Sequence, residues 1–89
     1  MKRKEVLEAA AKIVCGERQT NYGKPENSFR QIAELWRAYL HIAITPTDVA
    51  MMMSLLKIAR IKTGTATDYS FIDLAGYAAC GAEIEHRGE

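Results

Sequence analysis

The chain has 89 residues, a formal net charge of +1, 48% hydrophobic residues and 26% charged residues. That length fits one domain, residues 1–89, and the composition is that of a folded chain rather than a disordered one. The balanced charge excludes bulk electrostatics as a means of holding DNA or a membrane surface.

A domain this short buries only about 60–65% of the surface its unfolded chain exposes, so it usually needs a metal, disulfides, tight helix contacts or partner subunits. The two cysteines, Cys15 and Cys80, show no C-x-x-C spacing and no paired histidines. Neither a zinc site nor a disulfide framework is expected from them, and no cofactor is implied. The basic start, Met1-Lys2-Arg3-Lys4, runs into Glu5 and Glu8, which interrupts the apolar stretch a signal peptide needs. No apolar run is long enough to span a bilayer. The expected location is the cytoplasm, with both thiols reduced.

Periodicity predicts an all-α fold of four helices. In the first, from Arg3 to about Cys15, Val6, Ala9, Ala10 and Ile13 fall at i, i+3, i+4, i+7, and Gly16 is the expected stop. A polar loop, 17–24, follows. Pro25 suits the first turn of a second helix reaching Leu40, whose stripe is Phe29, Ile32, Ala33, Trp36, Tyr39 and Leu40. On its polar face Glu34 can pair with Arg30 and Arg37.

The third helix has the strongest start: Thr45 to cap, Pro46 first, and Asp48 in the third position. It runs to about Thr63, where Gly64 ends it. Val49, Met51, Met52, Met53, Leu55, Leu56, Ile58 and Ile61 cover most of its circumference. A helix apolar nearly all round is buried on nearly all sides, and one small protomer has too little material to cover it. A homo-oligomer is therefore expected. The fourth helix is read from Asp68, as N-cap, to about Glu85, with Phe71, Leu74, Ala75, Ala78 and Ala82 toward the core. Gly76 and Gly81 lie inside it and need a close approach to offset a cost of up to about 1 kcal/mol each against alanine. The short link 63–67 makes the last two helices an antiparallel C-terminal hairpin.

Two groups of residues point to chemistry. Arg60 projects about 20° from Val49 on the third helix, inside its apolar sector, with Lys57 one turn earlier. In an antiparallel hairpin Arg60 reaches the level of Asp73, so a structural Arg60–Asp73 ion pair is one reading. The other is an anion site in which Lys57 and Arg60 face a phosphate. In the 17–24 loop, Arg18, Tyr22 and Lys24 combine donors, an aromatic face and positive charge, as nucleotide binding needs. The same loop reads equally as a turn that aims the second helix.

Glu5 and Glu8 have the E-x-x-E spacing with which helical diphosphohydrolases hold magnesium. The matching pair around Asp73 is missing, because Ser70 and Gly76 stand three residues to either side. Neither a G-x-x-x-x-G-K-[ST] nor a G-x-G-x-x-G phosphate loop is present. The third helix is too apolar to enter a DNA groove.

Arg18, Tyr22-Gly23-Lys24-Pro25-Glu26-Asn27, Phe29, Ile32 and Trp36 resemble the first half of a family of short phage and prophage proteins. Thr45-Pro46-x-Asp48-Val49-Ala50, Leu56-Lys57-Ile58-Ala59-Arg60 and Asp73-Leu74-Ala75-Gly76-Tyr77-Ala78 resemble its second half. The family is defined by a domain of unknown function. The resemblance implies a phage-derived origin, hence a bacterial host cell, and a helical fold; it implies no activity. The residues themselves lead us to expect a non-catalytic homo-oligomer that binds a nucleotide or other phosphate-bearing ligand through Arg18, Tyr22, Lys24, Lys57 and Arg60; sequestration of that ligand is what analogy of size and context with other small phage proteins implies. The alternatives are a magnesium-dependent nucleoside triphosphate pyrophosphohydrolase using Glu5, Glu8 and Asp73, and an adaptor that acts on a host protein.

Overall fold

The computed structural model describes residues 1–17, 20–21, 23–65 and 67–86. Over these it is all-helical: α1 is Arg3–Lys12, α2 is Pro25–Leu40, α3 is Pro46–Lys62 and α4 is Asp68–Glu85. None of these helices is long and apolar enough to cross a membrane.

In α1 the backbone N–H of Lys2 donates to Glu5 Oε1 at 3.0 Å, which satisfies one donor at the helix start. Ala10 is buried and Val6, Ala9 and Ile13 are half-buried, the stripe that periodicity predicts. The expected stop at Gly16 is not where the helix ends. From Ile13 to Glu17 the chain continues as a π-helical turn that contains Gly16. Such a turn widens the helix by one residue and re-aims its side chains. Here it sets Val14 against α4.

Pro25 opens α2 as expected, with Lys24 in extended conformation as its N-cap. His41 ends the helix in the left-handed region, at φ 58°, and its N–H reaches the carbonyl of Arg37 at 2.8 Å. Histidine is among the residues that tolerate this conformation better than most. The reversal brings Ile44 beneath the helix. Ala33, Ile44 and Val49 form a buried cluster, with Phe29, Ile32, Trp36 and Met53 packed on it. Tyr39 and Leu40, expected in the same stripe, are exposed; they lie in the last turn of α2, past Trp36, the last of its residues packed on the cluster. The predicted Arg30–Glu34–Arg37 ladder does not form; Arg30 reaches Asn27 Oδ1 instead, at 3.5 Å.

The start of α3 is the reciprocal cap that its sequence predicts. Asp48 N–H donates to Thr45 Oγ1 at 3.0 Å, and Thr45 N–H donates to Asp48 Oδ2 at 2.9 Å. Its end is a Schellman turn: Thr65 N–H donates to the carbonyl of Arg60 and Gly64 N–H to that of Ile61, with Gly64 at φ 80°. Between these ends only Val49, Ala50 and Ser54 are buried. Met51, Met52, Leu55, Leu56 and Ile58 are 41–62% exposed. The all-round apolar helix is thus covered on one side within the protomer and bare on the other.

Thr67, one residue before the predicted Asp68, is the N-cap of α4; its N–H donates to Ser70 Oγ at 3.3 Å. The inward face also differs from expectation. Phe71, Ala78 and Ala82 are exposed, while Ser70, Ile72, Gly76, Cys80 and Gly81 are buried. The cause is close approach. A Cβ on Gly76 would lie 2.9 Å from Val14 Cγ1, and one on Gly81 would lie 3.1 Å from Ala50 Cβ. The side chains of Val14 and Ala50 pack closer over this small-residue face than a bulky side chain there would permit. The α3–α4 contact is the most extensive in the fold. Thr47 meets Glu85, Ala50 meets Gly81 and Lys57 meets Asp73, so positions rise along α3 as they fall along α4.

Candidate functional site

A cavity of about 240 Å³ lies where α1, the π-turn, α2, α3 and α4 meet. Ala10, Ile13 and Val14 line one side, and Pro25, Ser28, Phe29 and Ile32 of α2, with Gly23, another. Met53 of α3 and Ile72, Asp73, Gly76, Tyr77 and Cys80 of α4 complete it. Each helix contributes through a feature already described. The π-turn directs Ile13 and Val14 inward. Gly76 leaves the space that Val14 approaches. The α2 stripe supplies Phe29 and Ile32. The rings of Phe29 and Tyr77 stand 6.3 Å apart, tilted by 38°, within the range of a favourable aromatic pair.

Asp73 brings the carboxylate into this mostly apolar wall. Its partner is Lys57, whose Nζ lies 3.1 Å from Asp73 Oδ2, with both side chains 17% exposed. The expected Arg60–Asp73 pair is thereby replaced. Arg60 is exposed in the last turn of α3. The α2 cover reaches Val49 and Met53, whereas Arg60 lies about two turns further on, so sharing Val49's angular sector does not bury it. Lys57 sits one turn nearer the covered end, and the register of the two helices gives it the carboxylate.

The other expected ligand residues fall as follows. Lys24 is exposed and stands between two wall residues, Gly23 and Pro25. Arg18 and Tyr22 lie outside the described residues. Of the predicted five, none of Lys24, Lys57 and Arg60 is a wall residue: Lys24 is flanked by two wall residues, Lys57 pairs with one, and Arg60 is exposed. Ser28, Tyr77 and Cys80 were not anticipated as site residues. Tyr77 had a signal, since it follows Asp73 by one helical turn; Ser28 had none. Glu5 and Glu8 are exposed on α1, Glu5 accepting the Lys2 N–H and Glu8 lying 3.9 Å from Lys4. Among the described residues no three of His, Cys, Asp and Glu are placed to hold a metal ion.

A domain of unknown function, DUF6378, matches residues 5–85, nearly the whole chain. The chain is also similar to the Gene 55 protein of Mycobacterium phage D29, at 49% identity over 80 residues. That alignment covers 89% of this chain and 52% of the phage protein. The Gene 55 protein of Mycobacterium phage L5 is 42% identical over 74 residues, which cover 82% of this chain and 47% of the relative. The chain belongs to the DUF6378 family, and its homologues are phage proteins. It spans about half the length of the curated relatives it matches. No solved structure matches it.

Proposed function

We propose that this phage-family domain binds a small ligand of the nucleotide class without transforming it, and does so as a homo-oligomer. The observation that carries the reading is the cavity. It is apolar over most of its wall, has two aromatic rings on it, and holds one carboxylate that is already neutralised by Lys57. Ligand sites are typically of this make-up, mostly apolar with a few placed polar groups. Lys24, next to the wall, is an exposed cation available to a phosphate outside the cavity. The pyrophosphohydrolase reading needs Glu5, Glu8 and Asp73 to act together, and the first two are exposed on α1 with local partners. On this view α3 and α4 form an antiparallel hairpin whose outer face meets another copy.

Calorimetry against mono-, di- and cyclic nucleotides, with and without magnesium, is the test. Binding without turnover supports the proposal. Release of pyrophosphate with magnesium moves the case to the enzyme. If no nucleotide binds, the adaptor reading leads. One observation favours that second reading: Met51, Leu55 and Ile58 follow at i, i+4, i+7 and are 44%, 62% and 45% exposed. They form a helical stripe of the kind that partner helices recognise.

A further inference from the structure

The Lys57–Asp73 pair restricts what the cavity can take, and the restriction deepens the binding reading, on which it rests. A carboxylate offers about four acceptor positions, and Lys57 occupies Asp73 from the Oδ2 side. Acceptor capacity therefore remains on a residue that forms part of the wall. The pair as a unit is neutral. An anion entering beside it would meet the like charge of Asp73 and lose its hydration to an apolar wall. A phosphate therefore belongs outside the cavity. A neutral group with an N–H suits the remaining acceptor sites and leaves the ion pair intact.

Size and shape narrow the class. An engineered apolar cavity of about 150 Å³ in an unrelated protein takes one benzene ring. The cavity here, about 240 Å³, has room for two fused rings. Phe29 and Tyr77 give it aromatic surface against which a flat ring can lie. We infer that the cavity receives a neutral, flat, two-ring nitrogen heterocycle, a purine base being one, with an N–H donated to Asp73, from the ring in a free base and from the exocyclic amino group in an adenine nucleotide, and any sugar and phosphate left outside.

Benzimidazole and benzoxazole test this, since they share one shape and differ in an N–H replaced by oxygen. Titrated by NMR into the 89-residue chain, benzimidazole binds at least tenfold more tightly. In the double variant Lys57→Met/Asp73→Leu, which replaces the pair by apolar groups and strands no charge, the ratio falls to about one. Adenine and adenosine monophosphate, run alongside, separate recognition of the free base from that of the nucleotide. Equal binding of the two probes, or a ratio that survives in the double variant, overturns this inference and leaves the cavity a ligand site. Failure of every ring compound to bind the unaltered chain overturns both.

Discussion

Lys57 of α3 and Asp73 of α4 meet at 3.1 Å, and both side chains are largely withdrawn from solvent. Removing one member strands the other. Asp73→Ala therefore costs about 3 kcal/mol, near the lower end of the range for breaking a buried pair, because each group keeps some contact with water. Replacing both by apolar residues of similar size costs far less. Urea denaturation of the single and double variants checks this as a coupling energy. Additive losses would mean that the two groups do not interact.

The reciprocal cap of Thr45 and Asp48 satisfies two backbone donors at the start of α3. Thr45→Ala removes one bond and lowers stability by about 1 kcal/mol. Thr45→Ser retains the hydroxyl and leaves stability nearly unchanged. Comparing the two by chemical denaturation isolates the cap from other effects at this position.

Gly76 admits Val14 to within 2.9 Å of where a Cβ would stand. Gly76→Ala gains about 1 kcal/mol of helix propensity. It also forces a shift of Val14, a stiff β-branched side chain, at a cost of about 1–3 kcal/mol. The expected net effect is a loss of about 1 kcal/mol and a smaller cavity. A stabilised variant would show that α4 and the π-turn are farther apart than described.

Leu55 is 62% exposed in the protomer. Leu55→Glu should therefore leave the helical circular dichroism intact while placing a charge on the face assigned to another copy. Light scattering at micromolar concentration should report a dimer or larger for the unaltered chain and a monomer for the variant. An unaltered chain that is already monomeric removes the argument for self-association.

The helix boundaries were legible wherever local chemistry decides them. Pro25, the Thr45-Pro46-x-Asp48 start and the Gly64 stop each act through groups a few residues apart. The end of α1 was not, because Gly16 fits a π-turn as readily as a stop and tertiary contact selects between them. The inward face of α4 was misread for a related reason. Periodicity favours Phe71 over Gly76, but Val14 and Ala50 press against Gly76 and Gly81, and that contact is a property of the assembled fold. At the site, sequence brought Lys57 and Asp73 into view but paired Asp73 with Arg60. A helical wheel gives direction around α3, not how far along α3 the cover of α2 extends. Tyr77 carried a signal, one turn after Asp73, whereas Ser28 joined the candidate site only once the π-turn and the four helices were placed around one space.

If the cavity among the helices holds the ligand, as we propose, the amides of its wall respond to that ligand. The most direct measurement is amide chemical-shift mapping of the ¹⁵N-labelled chain on titration with adenosine monophosphate. The largest shifts should fall on Gly23, Ser28, Gly76, Tyr77 and Cys80, amides drawn from the wall on both sides. Shifts confined to the surface near Arg60 and Lys62, with the wall amides unmoved, would contradict it.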